Sequence, residues 1–258
     1  MSSLPDNRAE YIAGLNAAYG DWPAEEILDW VTDLFAGDIA FANSFGLEDV
    51  VIQHIILRKS TASVESFVLD TGRLPPETYD LIERWRVGTD YPFRLLSPKA
   101  ELLEPFVQTH GPNSFYQSIE LRKQCCAIRK LEPLSRALAG KKAWITGLRR
   151  EQSSARARLE VFEADAKGRV KVNPLAAWTL DDVWTYIKDN KVPYNVLHDR
   201  GFPSVGCAPC TRAIEAHEDI RAGRWWWEAE QQRECGLHQN SLDKKPNELR
   251  QEERSDVR

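Results

Sequence analysis

Apolar positions along this chain fall into two alternating spacings: short unbroken runs, and longer stretches with apolar residues three or four apart. After Pro23 an acidic first turn (Glu25, Glu26) leads into Ile27, Leu28 and Val31 at helical spacing, and Gly37 closes the helix. The run 39–42 is four apolar residues, suited to a buried parallel strand. A Ser/Gly turn and a second helical stretch, 50–57, complete the front half of a βαβ unit. The cycle then repeats, with a strand at 66–69, a loop at 70–73 and a helix opening at Pro75. A third strand is expected at 93–96, followed by a helix from about Lys99. The next helix carries Cys125 and Cys126 on to Leu131, and Pro133 is expected to bend or interrupt it.

A fourth strand is expected at 143–146. Val161, Phe162 and 170–172 flank Lys167-Gly168 as a hairpin, and Thr179 with Asp182 forms a near capping box ahead of a helix from Val183. Beyond Pro193 the chain is rich in loops. The order of elements predicts an α/β fold: a Rossmann-like, mostly parallel, doubly wound sheet with helices on both faces and a C-terminal extension. The expected divisions are a nucleotide-binding domain with a cysteine site at 1–210, a catalytic segment at 211–240, and a polar, disordered tail at 241–258.

Composition narrows the function classes. A chain of 258 residues, 42% hydrophobic and 28% charged, can bury a large core. No run approaches the about 20 apolar residues that cross a bilayer, and the N-terminus lacks the apolar segment of a secretory signal, so a cytoplasmic, non-membrane protein is expected. A net charge of −5 argues against a general nucleic-acid binder. Local cation clusters remain: Arg149, Arg150, Arg156 and Arg158 fall close together, and Arg221 and Arg224 precede Trp225, Trp226 and Trp227.

The five cysteines are a contiguous pair, Cys125-Cys126, a Cys-Ala-Pro-Cys at Cys207 and Cys210, and a lone Cys235. In a reducing compartment grouped cysteines bind metal or do redox work. Adjacent helical residues project roughly 100° apart, which suits the separate irons of a four-iron cluster better than one tetrahedral zinc. A zinc site and a thioredoxin-like role for Cys207 are the weaker alternatives. Ser44-Phe45-Gly46 sits where a strand feeds a helix, a favourable position for an anion. Leu69, Asp70, Thr71, Gly72 and Arg73 follow the next strand, on the ligand-binding edge of an open sheet.

The motifs at 44–49, 69–74, 125–126, 147–153, 207–210, 223–228 and Glu-Cys-Gly-Leu-His at 234–238 stand in the order found in one family. Across roughly 43–238 the chain resembles assimilatory adenylyl-sulfate (APS) reductases, which belong with the phosphoadenylyl-sulfate (PAPS) reductases. The resemblance implies the adenine-nucleotide α-hydrolase-like fold and a [4Fe–4S] cluster on Cys125, Cys126, Cys207 and Cys210. It also implies reduction of APS to sulfite and AMP in sulfate assimilation and cysteine biosynthesis, with thioredoxin or a similar dithiol as donor. Cys235 is implied as the nucleophile, with His238 and Arg233 nearby to lower its pKa. Lys130, Arg156, Arg221 and Arg224 are implied as cations for the substrate, beside the two loops at 44–46 and 69–73.

Family members that use PAPS commonly lack the four cluster cysteines, so their presence favours APS, with a cluster-bearing PAPS reductase as the alternative. Phe45 stands at a glycine position of the ATP pyrophosphatase loop and argues against ATP. For the tryptophan triplet the expectation is packing. His198 and His217 carry no assigned role, and Glu48 and Asp49 are read as capping a helix start. A homo-oligomer is expected.

Overall fold

A computed structural model describes residues 4–5, 7–58, 64–89 and 93–228. In chain order the elements are α1 (Arg8–Tyr19), α2 (Ala24–Leu34), β1 (Ile39–Ala42), α3 (Leu47–Arg58), β2 (Glu65–Leu69), α4 (Pro76–Gly88), β3 (Phe93–Leu96), α5 (Ala100–His110), α6 (Ile119–Cys126), α7 (Glu132–Ala137), β4 (Ala143–Ile145), β5 (Phe162–Ala164), β6 (Val170–Val172) and α8 (Leu180–Asn190). The strands form one sheet in the order β3-β2-β1-β4-β6-β5, parallel throughout except for the β5–β6 hairpin.

Period-two alternation sorts the strand side chains into two layers. Ile39 and Phe41, Val68, Ala143 and Ile145 join the larger core with Ile27, Val31, Val50 and Ile55 of α2 and α3. Their neighbours Ala40, Phe67 and Trp144 face the other way and pack on Ala137 and Leu138. Both faces of the central parallel strands β1 and β4 are therefore covered, as their unbroken apolar sequences require. The hairpin extends this sheet and ends it. On edge strand β5, Asn16 of α1 accepts from Phe162 N–H at 3.0 Å and donates to its carbonyl at 2.9 Å, occupying hydrogen-bonding groups an edge leaves open.

Strand order reverses beside β1, because the chain runs outward through β2 and β3 and then returns to β4 on the other side. In open α/β sheets that switch point, at the carboxyl ends of the strands, is where ligands bind. One expectation needs correcting: helix α3 begins at Leu47, three residues earlier than expected. Near Pro133 the α-helix is interrupted as expected: Ala127–Leu131 form a π turn, with Glu132 N–H bonded to the Ala127 carbonyl, and Pro133 lies in the first turn of α7. Widening the ladder just ahead of the proline accommodates its missing donor and its ring.

The expected hairpin, the capping box and the loop-rich stretch after Pro193 are all found, with Thr179 and Asp182 making both reciprocal bonds. Residues 211–228 turn back on the body of the fold, through a bridge between Thr211 and Arg224 and a bond from Trp225 N–H to the Cys210 carbonyl. The tail at 241–258 lies outside the described residues. Among the described residues no helix is long and apolar enough to cross a membrane.

Candidate active site

A crevice of about 250 Å³ opens at the carboxyl ends of β1, β2 and β4. Ser44, Gly46, Leu69, Thr71, Lys130, Arg156, Arg221 and Arg224 all line it, so eight residues expected at a substrate site are brought together. The loop after β1 is shaped from within: Asp49 accepts from Ser44 N–H and Oγ–H, both at 2.6 Å, and Asn43 Oδ1 accepts from Phe45 N–H at 2.8 Å. Burial pushes the Asp49 carboxyl up to about 7, against the lowering effect of the Ser44 bonds. Gly147 closes over this carboxylate, and a Cβ there would overlap Asp49 Oδ1.

Four expected contacts do not line the crevice. Phe45 takes a left-handed φ of 58°, and its buried ring packs on Trp85 and Phe93. The Asp70 carboxylate accepts from Gly72 N–H at 2.9 Å and Tyr79 O–H at 2.6 Å, holding its own loop, and Gly72 supplies that turn's positive φ of 66°. Arg73 points away from the crevice, donating to Asn113 and the Pro112 carbonyl with its guanidinium over Phe115. Cys235 and His238 lie outside the described residues.

Cys125, Cys126, Cys207 and Cys210 line one small second cavity, together with Arg73, Arg122, Arg129 and Lys130. The contiguous pair comes from the end of α6 and the other two from the turn at 207–210. Burial pushes the Cys125 thiol up, opposed by the Arg129 guanidinium, and pushes Cys210 up to about 12. Arg129 is itself buried: its Nη1 donates to the Thr71 carbonyl at 2.6 Å, while its Nε has no hydrogen-bond partner among the described residues. Among those residues no three His, Cys, Asp or Glu side chains converge on a single ion. Four sulfur donors around one space, ringed by cations, fit an anionic group with several separate attachment points better than one metal ion. Lys130 and Cys207 belong to the walls of both cavities.

The geometry adds residues that motif reading misses. His198, expected to carry no role, lines the crevice, and burial lowers its pKa against the raising effects of the Glu48 carboxylate and the Phe202 backbone. A lone histidine in a loop sends no sequence signal of this kind. Arg149 also lines the crevice, with its guanidinium held by Glu48 at 2.8 Å and Glu151 at 2.9 Å. Trp225 is buried as expected of packing, yet it also lines the crevice.

A ligand crevice at the switch point of a doubly wound sheet, walled in part by a cysteine-lined cavity, defines a nucleotide-binding α/β protein with a built-in thiol centre. The family model for the phosphoadenosine phosphosulfate reductase domain matches residues 38–213, and the chain belongs to that family. It is 52% identical over 207 residues to the adenosine 5′-phosphosulfate reductase of Allochromatium vinosum, covering 79% of this chain and 80% of the relative. The protein of that name from Agrobacterium fabrum is 40% identical over 247 residues, covering 95% and 94%. Among solved structures, the phosphoadenylyl-sulfate reductase of Candida auris in a phosphate complex superposes with a TM-score of 0.69 at 31% identity, covering 83% of this chain and 99% of that one. Candida glabrata FMN adenylyltransferase, at 15% identity and a TM-score of 0.52 over 93% of this chain and 86% of its own, shares the fold.

Proposed function

We propose that this chain reduces adenylyl sulfate to sulfite and AMP, with a dithiol such as thioredoxin as electron donor. The observation that carries the reading is the wall common to the two cavities: Lys130 and Cys207 face the nucleotide crevice and the thiol cavity at once. Relatives at 52% and 40% identity bearing the adenosine 5′-phosphosulfate reductase name support the same substrate.

In this mechanism the adenosine end lies in the crevice against the loops after β1 and β2, and Lys130, Arg156, Arg221 and Arg224 face the phosphosulfate. Cations in a partly buried crevice stabilise charge that develops on the leaving phosphate. The Cys235 thiolate attacks the sulfate sulfur, the bond from sulfur to the bridging oxygen breaks, and AMP departs with the electron pair. The product on the enzyme is Cys235–S–SO₃⁻. One donor thiolate then attacks the Cys235 sulfur and expels sulfite. The second donor thiol resolves the mixed disulfide, so the dithiol is oxidised by two electrons and Cys235 is regenerated.

Cys125, Cys126, Cys207 and Cys210 are the residues that would hold a [4Fe–4S] cluster, and Arg129 and Lys130 would face its negative charge. Bound there, the cluster would tie α6 to the turn at 207–210 and polarise the adjoining anion site. Free thiols and iron–sulfur ligation both suit a reducing cytoplasm. A homo-oligomeric state belongs to the same reading and is checked by sedimentation.

The test is mass spectrometry of the chain after incubation with APS in the absence of any dithiol. A sulfonate on Cys235 is expected, and an unmodified Cys235 with full nucleotide occupancy overturns the mechanism. The likeness to the Candida auris enzyme supports a second reading, in which PAPS is the preferred substrate. A higher kcat/KM for PAPS than for APS would establish it.

A further inference from the structure

Trp225 sits in a backbone conformation that a bulky residue rarely adopts, with φ of 44°, and its side chain is almost wholly buried. Two guanidinium groups lie over its ring, Arg224 at 4.8 Å and Arg122 at 5.0 Å from the ring centroid. Its indole Nε1–H is buried without a hydrogen-bond partner among the described residues. The ring's contribution is therefore its face, where the quadrupole attracts cations.

The two cations beside that ring are treated differently. Arg122 is neutralised: Glu228 accepts from its Nε at 2.9 Å and its Nη2 at 2.7 Å, and both side chains are 3% exposed or less. A bidentate pair of this kind is strong and fixed in direction. Arg224 instead lines the crevice, with Nη1 donating to Ser204 Oγ at 3.4 Å. Gly206 lies close against it, and a Cβ at that position would overlap the guanidinium. Arg224 is thus confined between an indole ring and a glycine.

We propose that Trp225 is a positioning residue: its face, pinned by the Arg122–Glu228 pair, aims the Arg224 guanidinium at the anionic group of the substrate. Arg122 stands three residues ahead of Cys125 on α6, so the aim of Arg224 is referenced to the helix that carries the cysteine pair. The proposal rests on the reading of the crevice as the APS site.

The test is a double-mutant cycle on APS affinity, run in the Cys235→Ser chain so that no turnover occurs, with iron content and melting temperature followed alongside. Trp225→Leu is expected to weaken APS binding about tenfold with iron content unchanged. Trp225→Phe, which keeps a π face, is expected to recover most of that loss. In the Arg224→Ala background, Trp225→Leu is expected to cost nothing further. Glu228→Gln gives a second, milder arm, and it too should weaken binding non-additively with Arg224→Ala. Wild-type affinity in both Trp225→Leu and Glu228→Gln, or losses that add to that of Arg224→Ala, overturns the proposal, as does a Trp225→Phe chain as weak as the leucine variant. A Cys235→Ser chain that binds no APS overturns the substrate reading instead. The same cycle run with inorganic sulfate then still decides whether Trp225 acts through Arg224.

Discussion

Burial acts against the charged forms of two crevice side chains, Asp49 and His198. For Asp49 the folded-state value of about 7 lies above the unfolded value of 3.8, so the native chain keeps the proton longer as pH rises. The contribution of this group to stability is then greatest below about pH 4, falls between about 4 and 7, and is level above that. Asp49→Asn is expected to remove the fall. In denaturant unfolding the stability difference between variant and parent should drift in favour of the variant across that window, and a difference independent of pH would contradict it. His198 invites the opposite kind of substitution. Burial disfavours its charged form, so His198→Phe should leave the melting temperature equal or higher while nucleotide affinity falls several-fold. A variant that melts lower and binds as well as the parent would make His198 a packing residue. Neither side chain is legible in the sequence as more than a helix cap or a loop histidine. Gly147, which closes over Asp49, comes from the loop after β4, about a hundred residues away in sequence.

At the scale of elements, sequence reading succeeds where one spacing dominates. The run 39–42 agrees with β1, because a short apolar run bounded by turns admits little else, and the strand expected at 93–96 agrees with β3 although Arg94 interrupts its apolar sequence. The capping box ahead of α8 was equally legible, since Thr179 and Asp182 make both bonds across three residues. Thr179→Ala should cost about 1 kcal/mol of stability with kcat/KM unchanged, a check on stability separate from the site. The π turn at Ala127–Leu131 was not legible, because one extra residue in a turn leaves no compositional mark. It has a consequence for the thiol cavity. Deleting Ala127 would restore an ordinary ladder and rotate Cys125 and Cys126 by roughly 100° relative to α7. Circular dichroism should then show native helix content while iron is lost, and retention of iron would show that the register of this turn does not set the thiols.

For the whole molecule, the alternation of strands and helices was sufficient for the class, and right-handed crossovers limit the possible orders. What local spacing did not carry is the return of the 207–228 loop to α6, which rests on contacts such as Arg122 with Glu228 across 106 positions. That return gives the thiol cavity and the crevice a common wall in Lys130 and Cys207. Two sites that share a lysine and a cysteine cannot be electrostatically independent, because a charge brought to one face of Lys130 changes the field at the other. APS added to the iron-loaded Cys235→Ser chain should therefore alter its visible absorption or circular dichroism, and AMP, which lacks the sulfate, should do so less. In Lys130→Ala the APS response should shrink even at saturating nucleotide, whereas Arg156→Ala, which lines the crevice alone, should lose affinity and keep the full response once saturated. Equal responses in the two variants would mean that the shared wall is an accident of packing and that the thiol centre serves the fold alone.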